Sequence, residues 1–237
     1  MGIKHLNKFL RTECGDSIKL ISIAELAGKK IAVDISIYIY KYQSEGTLLD
    51  NIYLMMTIFR NFGVIPIIVF DGKPPAEKRE LLVKRKQDKA SAKEEFNKLK
   101  EQLNMKDNTM SEQDKQEIIT SMDLLKKQFV SIRKEHVDNV KRLIESCGIM
   151  WVDAPGEADQ MCASLVLNNT AWACMSDDMD MFVYGATRVL RYFSIMNHTV
   201  VLYTMNGILK ELNMIQKEFR EICVLSGTDY NLSLIHI

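Results

Sequence analysis

The sequence predicts an α/β fold: an open, mainly parallel twisted sheet flanked by helices and interrupted by a charged helical insertion. Three observations lead there. Two short apolar runs, residues 29–34 (KKIAVD) and 64–71 (VIPIIVFD), have buried-strand character, and each ends in an aspartate. Between them, Leu48, Ile52, Met55, Met56 and Phe59 recur at the spacing of one helix face. From residue 73 the composition shifts to long charged segments, and strand-like runs resume only near residue 149.

Taken in order, strand 29–34, helix 48–62 and strand 64–71 imply two parallel strands joined by a right-handed crossover. Pro66 marks a strand start or an edge. Residues 75–102 and 111–147 read as charged helical segments separated by a polar break over 104–114. Their sparse apolar positions predict helices standing partly away from the core. Alternation then resumes with strand 149–153, helix 156–167, strand 171–175, strands 189–193 and 199–203, and helices 207–212 and 217–225. One domain is expected, built from an N-terminal region (1–72), the charged insertion with its following helix (73–147) and an internal region (148–237).

The 237 residues are 47% hydrophobic and 26% charged, enough to bury a core without covalent staples. Five scattered cysteines, with no CxxC pair, argue against a disulfide framework or a zinc site and for a reducing compartment. The longest apolar run, residues 64–70, is too short to span a bilayer, so a soluble intracellular protein is expected. Formal net charge is zero, but its distribution is uneven. Residues 73–142 hold 18 Lys and Arg against 13 Asp and Glu, leaving 13 against 18 elsewhere in a chain with 31 of each. A basic segment set in an acidic body can meet a polyanion on one face while the body binds cations.

Acids cluster where strands end or just after: Asp34, Asp71, the pair Glu157 and Asp159, the pair Asp178 and Asp180, and Asp229 after an apolar helix. Open α/β sheets bind ligands beyond the carboxyl ends of their strands, so these side chains can converge. Seven carboxylates in one cleft repel unless cations neutralise them. Oxygen ligands without nearby His or Cys select a hard ion, Mg2+ with Mn2+ as a substitute. Two such ions suit phosphodiester chemistry. A single strand-terminal aspartate is more often a turn former or cap, and Asp153 and Asp177 are assigned that role. The repeated acids together with a separate basic element favour the metal reading.

Met-Gly-Ile at the N-terminus, Val-Asp-Ile-Ser around Asp34 and Val-Phe-Asp-Gly-Lys-Pro-Pro around Asp71 resemble the flap endonuclease or XPG-type structure-specific 5′ nuclease family. Asp-Ala-Pro-Gly-Glu-Ala-Asp around Glu157, Asp-Asp-Met-Asp ending at Asp180 and Leu-Ser-Gly-Thr-Asp-Tyr around Asp229 continue the resemblance in family order. The resemblance implies that Asp34, Asp71 and Glu157 serve one metal and Asp178, Asp180 and Asp229 a second. Asp159 lies between them, where the family usually has Glu. It also implies a helical arch whose Lys78 and Arg85, two helical turns apart, reach the scissile phosphate. Lys84, Lys86, Lys89 and Lys93 would hold further phosphates, Tyr40 would stack a terminal base, and Gly2 would lie near the template bend.

The implied activity is hydrolysis of DNA near a 5′ flap or a single/double-strand junction, with Asp178 essential to catalysis, in replication or repair. The products would be a 5′-phosphate and a 3′-hydroxyl. A 5′ exonuclease, a bubble-cutting or RNA-cutting relative and a catalytically silent nucleic-acid-binding module are the alternatives. A monomer acting at the nucleus or another site of DNA replication is expected. A sliding clamp is a possible partner by family, though its motif is not visible. After Asn231 the sequence does not resemble the family's helix–two-turn–helix, so that duplex grip is expected to be absent or truncated.

Overall fold

The structure is a computed structural model that describes residues 3, 5–106 and 112–229. Among the described residues, one sheet holds β1 (Ile18–Ser22), β2 (Lys30–Asp34), β3 (Ile65–Phe70), β4 (Trp151–Asp153), β5 (Ala173–Met175), β6 (Arg188–Ser194) and β7 (Thr199–Thr204). Their spatial order is β1-β7-β6-β5-β2-β3-β4. The four pairings from β6 across to β4 are parallel, whereas β7 runs antiparallel to both β6 and β1. The mainly parallel sheet expected from the sequence is therefore present. The chain builds outward from β2 to β3 and β4, then returns to the other side of β2 with β5. The crevice between β2 and β5, where the order reverses, is where such sheets place ligands.

Strand alternation divides the core into two layers. Ile31, Val33, Ile68, Phe70, Ala173, Met175 and Leu190 face a cluster with α2 (Ile35–Glu45), α3 (Leu48–Asn61) and α6 (Lys134–Ser146). Ala32, Val69, Cys174 and Val189 face the opposite cluster. Its helices are α1 (Leu6–Glu13), α7 (Ala158–Leu167), the single turn α8 (Asp180–Val183), α9 (Met205–Glu211) and α10 (Gln216–Ser226). Each fully buried aliphatic side chain contributes about 1.5–3 kcal/mol, so both faces of the central strands are strongly held. All five apolar positions predicted for helix 48–62, Leu48, Ile52, Met55, Met56 and Phe59, are buried in α3.

The insertion forms an antiparallel pair, α4 (Arg79–Lys106) and α5 (Glu112–Gln128). Its few apolar residues hold the pair together. Ala92 and Leu125 are buried, and Phe96 meets Phe129 edge-on at 5.3 Å. The sequence reading of 111–147 as one helical segment needs correction, because the chain breaks at 129–133. Neither glycine nor proline marks that break. It arises because the two halves pack on different partners, α5 on α4 and α6 on α3 through buried Val140 and Ile144. Strands β4 and β5 are also shorter than expected. Residues 107–111, in the expected polar break, lie outside the described residues, as does the expectation for 230–237. No helix among the described residues is long and apolar enough to cross a membrane.

One close approach fixes the top of β3 against β4. The Gly72 N–H donates to the Gly156 carbonyl at 2.7 Å, and the Ala154 N–H donates to the Phe70 carbonyl at 2.9 Å. A Cβ on Gly72 would overlap the Ala154 carbonyl oxygen, which is backbone and cannot step aside. Gly72→Ala is expected to cost about 1–3 kcal/mol in urea unfolding; an unchanged midpoint would contradict this packing.

Candidate active site

The parallel strands deliver the acids to one edge. Asp34 is the last residue of β2, Asp71 follows β3, and Asp178 lies in the turn after β5. Glu157 immediately precedes α7 and Asp159 lies in its first turn, while Asp180 opens α8 and Asp229 follows α10. Local hydrogen bonds aim several of them. Asp34 Oδ1 accepts from the Ser36 N–H at 3.1 Å, and Asp71 Oδ1 accepts from the Ala158 N–H at 2.8 Å. Each carboxylate thus starts a helix in the way a cap does, with one oxygen. Ser176 links two strands: its hydroxyl donates to Asp34 Oδ2 at 3.0 Å and accepts from the Asp178 N–H at 3.2 Å. Sequence reasoning passed over Ser176, since a lone serine after a strand carries no signal of its distant partner.

Two cations enter from the insertion. Lys78 is buried, and its Nζ lies 2.8 Å from Glu157 Oε2 and 3.7 Å from Asp229 Oδ2. Arg85 donates to Asp229 Oδ2 at 2.7 Å. Burying a lysine is expensive unless it is paired, and these carboxylates supply the pairing. Burial pulls the Lys78 ammonium down, but the Glu157 hydrogen bond and the charges of Glu157, Asp229 and Asp159 outweigh it, leaving it above the ordinary lysine value.

The acids are short of positive charge all the same. Burial, then the charge of Asp71, holds the Asp34 carboxyl well above the usual range. Burial, then Glu157, pushes Asp159 up to about 7, with Asp178 adding to the rise. Burial, then Asp178 and Asp229, pushes Asp180 up to about 7. These electrostatic couplings link all seven acids, with Asp159 raising the carboxyls of both Asp34 and Asp180.

The donor set fits hard divalent cations. Its groups are carboxylate oxygens, and Asp180 Oδ1 is buried without a hydrogen-bond partner among the described residues. As placed, no group of three or more Asp, Glu, His or Cys side chains among the described residues is close enough together to hold a metal ion. Lys78 and Arg85 hold Glu157 and Asp229 instead.

Beside the acids lies a cleft of about 680 Å³ between α2, α4 and the end of α5. Tyr40, Lys41, Arg85, Lys86, Lys89 and Lys127 line it. Tyr40 is exposed, unlike its neighbours Tyr38 and Tyr42, which are core residues. Lys89 has a tighter role than the open phosphate contact expected from sequence. Its Nζ donates to the Val130 carbonyl at 3.0 Å and sits 5.1 Å from the Tyr40 ring centre, tying the insertion to α2. Lys84 and Lys93 are exposed on α4 but do not line the cleft. Lys41 and Lys127 were missed, because only the fold brings α2 to the end of α5. Gly2 lies outside the described residues. Asp153 pairs with Lys141 at 2.6 Å, and Asp177 accepts the Tyr192 N–H at 2.7 Å, so both are committed away from the acid set.

The raised carboxyls give the cation-free protein a definite pH dependence. An unfolded aspartate ionises near ~3.9, whereas Asp159 and Asp180 in the fold do so at about 7. Between those values the folded chain retains protons that the unfolded chain has released, so its stability falls as pH rises. The stabilisation is complete below about pH 4 and lost as pH passes about 7. Unfolding with chelator present should show a decline of several kcal/mol over this window; a flat or rising profile would contradict the clustering.

The family model for the XPG N-terminal domain matches residues 1–92, and that for the XPG I-region matches residues 148–229. Flap endonuclease 1 of Glycine max is 32% identical over 249 residues, covering 97% of this chain and 62% of that protein. The chain therefore spans less than two thirds of that curated relative. Among solved structures, the flap endonuclease-1 from Methanococcus jannaschii superposes with a TM-score of 0.62 at 26% identity, over 90% of this chain and 69% of that one. The catalytic core of Rad2 in complex with DNA substrate shares the fold, with a TM-score of 0.70 at 24% identity over 97% of this chain and 64% of that one. With matches to both regions in order and the acids of each gathered at one sheet edge, the chain belongs to the XPG family.

Proposed function

We propose that this chain is the nuclease region of a structure-specific 5′ nuclease that hydrolyses DNA at 5′ flaps or single/double-strand junctions, using two Mg2+ ions that Mn2+ can replace. The observation that carries the proposal is the gathering of seven strand-end and helix-start carboxylates at the carboxyl ends of the parallel strands, two of them, Glu157 and Asp229, paired with Lys78 and Arg85 at the foot of a basic helical pair. Asp34, Asp71 and Glu157 would hold one ion and Asp178, Asp180 and Asp229 the other, with Asp159 between. Bound there, the ions would supply charge neutralisation for the attacking and leaving oxygens of the phosphodiester.

The chain's own residues do the rest. With the carboxylates neutralised, Lys78 and Arg85 can turn from Glu157 and Asp229 toward the scissile phosphate and stabilise charge developing there. Lys41, Lys86 and Lys127 would track a single-stranded backbone through the cleft. Tyr40 offers an exposed ring for a base, worth about 1–3 kcal/mol and indifferent to base identity. Recognition of this kind depends on the form of the DNA rather than its sequence. The likeness to flap endonucleases supports the reading, and a role in replication or repair belongs to it.

The test is cleavage of a 5′-labelled flap in Mg2+, run beside nicked duplex, bubble and RNA substrates. Asp178→Ala should abolish cleavage while substrate binding persists, and near wild-type turnover by that variant would overturn the two-metal assignment. Lys78→Ala should lower kcat by about 10²–10³-fold with little change in KM, whereas an effect confined to KM would refute its catalytic role. Failure of the unaltered chain to cut any of these in Mg2+ or Mn2+ would favour a silent binding module.

A further inference from the structure

Arg191, in β6, is 4% exposed, and no carboxylate among the described residues lies within ion-pairing distance of it. A guanidinium buried in this way is costly and needs a compensating task. Its two terminal nitrogens reach opposite ways. NH1 donates to Asn7 Oδ1 in α1 at 2.7 Å, and NH2 donates to the Asp177 carbonyl at 2.7 Å. The Tyr192 and Tyr203 rings lie 4.7 and 5.5 Å from the guanidinium carbon. Asn7 is locked in turn, accepting from the Tyr203 hydroxyl at 2.9 Å and donating to the Tyr192 hydroxyl at 2.8 Å.

The backbone is strained toward the same target. Tyr192 has φ 56°, a left-handed conformation costly for an aromatic residue, at the register break in β6. This conformation accompanies donation from its N–H to Asp177 Oδ1 at 2.7 Å. A buried cation and a strained residue therefore both grip Asp177, which is not itself a candidate ligand. On either side of it stand Ser176, bonded to Asp34, and Asp178, whose Oδ1 accepts the Asp180 N–H at 3.3 Å.

We propose that Arg191 is a positioning residue, anchored on Asn7, that sets the Asp177 backbone and through it the Asp178–Asp180 half of the metal-binding set. The inference rests on the nuclease reading above. It makes α1, remote in sequence, a support of the cation site, with Asn7 as the coupling point.

The test is Mn2+ binding to the whole chain, followed by electron paramagnetic resonance, for the unaltered protein and for Arg191→Met, Arg191→Lys and Asn7→Ala. Far-UV circular dichroism and flap cleavage against Mn2+ concentration accompany it. Outer partners of metal ligands change affinity by about 10–100-fold when removed, and Arg191→Met is expected to weaken Mn2+ binding within that range. Arg191→Lys, which keeps the charge and one donor nitrogen, should lose less. Cleavage by the variants should recover as Mn2+ is raised, which a merely structural loss would not do. Folded Arg191 variants that bind Mn2+ like the unaltered chain would overturn the inference. If Arg191→Met does not fold, unchanged affinity in Asn7→Ala overturns it equally. An unaltered chain that binds no Mn2+ would instead overturn the metal reading on which the inference rests.

Discussion

Like charges gathered at one edge of a sheet repel, and the architecture around Asp34, Asp71, Glu157, Asp159, Asp178, Asp180 and Asp229 is organised by that repulsion. Parallel strands bring their carboxyl ends together, so acids placed there cannot avoid one another. The fold meets the cost in three ways. Asp34 and Asp71 spend one oxygen each on helix-starting N–H groups. Lys78 and Arg85 bring positive charge from the insertion. Burial and neighbouring acids also raise the carboxyls of Asp34, Asp159 and Asp180, so proton uptake by them relieves repulsion further.

The two internal cations have a consequence for the insertion. Its base is not a free-standing helix but is drawn onto the acid cluster at Lys78 and Arg85 and onto α2 at Lys89. The basic cleft and the acids are therefore parts of one surface, linked by Arg85, which borders both. Any ligand that neutralises the acids also changes the partners of the cations that would meet a phosphate.

The strands bearing Asp34 and Asp71 were readable because central parallel strands are buried on both faces and leave continuous apolar runs. The face of α3 was readable for the matching reason, a helix period on a single side. Other parts gave weaker signals. In α2, residues 35–40 alternate as Ile-Ser-Ile-Tyr-Ile-Tyr, a strand-like pattern. The Asp34 cap and Gly46 at φ 75° nevertheless bound a helix there, which buries Ile35, Tyr38, Ile39 and Tyr42. Strand β1 lies at a sheet edge and buries little beyond Ile21. The candidate acids could be found from their strand-end positions and motif order, whereas Ser176, Asn7 and Arg191 have partners far away in sequence, and Lys41 and Lys127 come to one cleft only through the fold. Their partners exist only once the sheet is assembled.

The most direct measurement of the carboxylate cluster's role is anomalous diffraction from crystals of the chain soaked in Mn2+. Two peaks about 4 Å apart are expected, one beside Asp34, Asp71 and Glu157 and one beside Asp178, Asp180 and Asp229, with Lys78 drawn away from Glu157. Saturating Mn2+ that leaves no peak among these carboxylates, with Lys78 still paired to Glu157, would contradict the assignment of the cluster as a cation site.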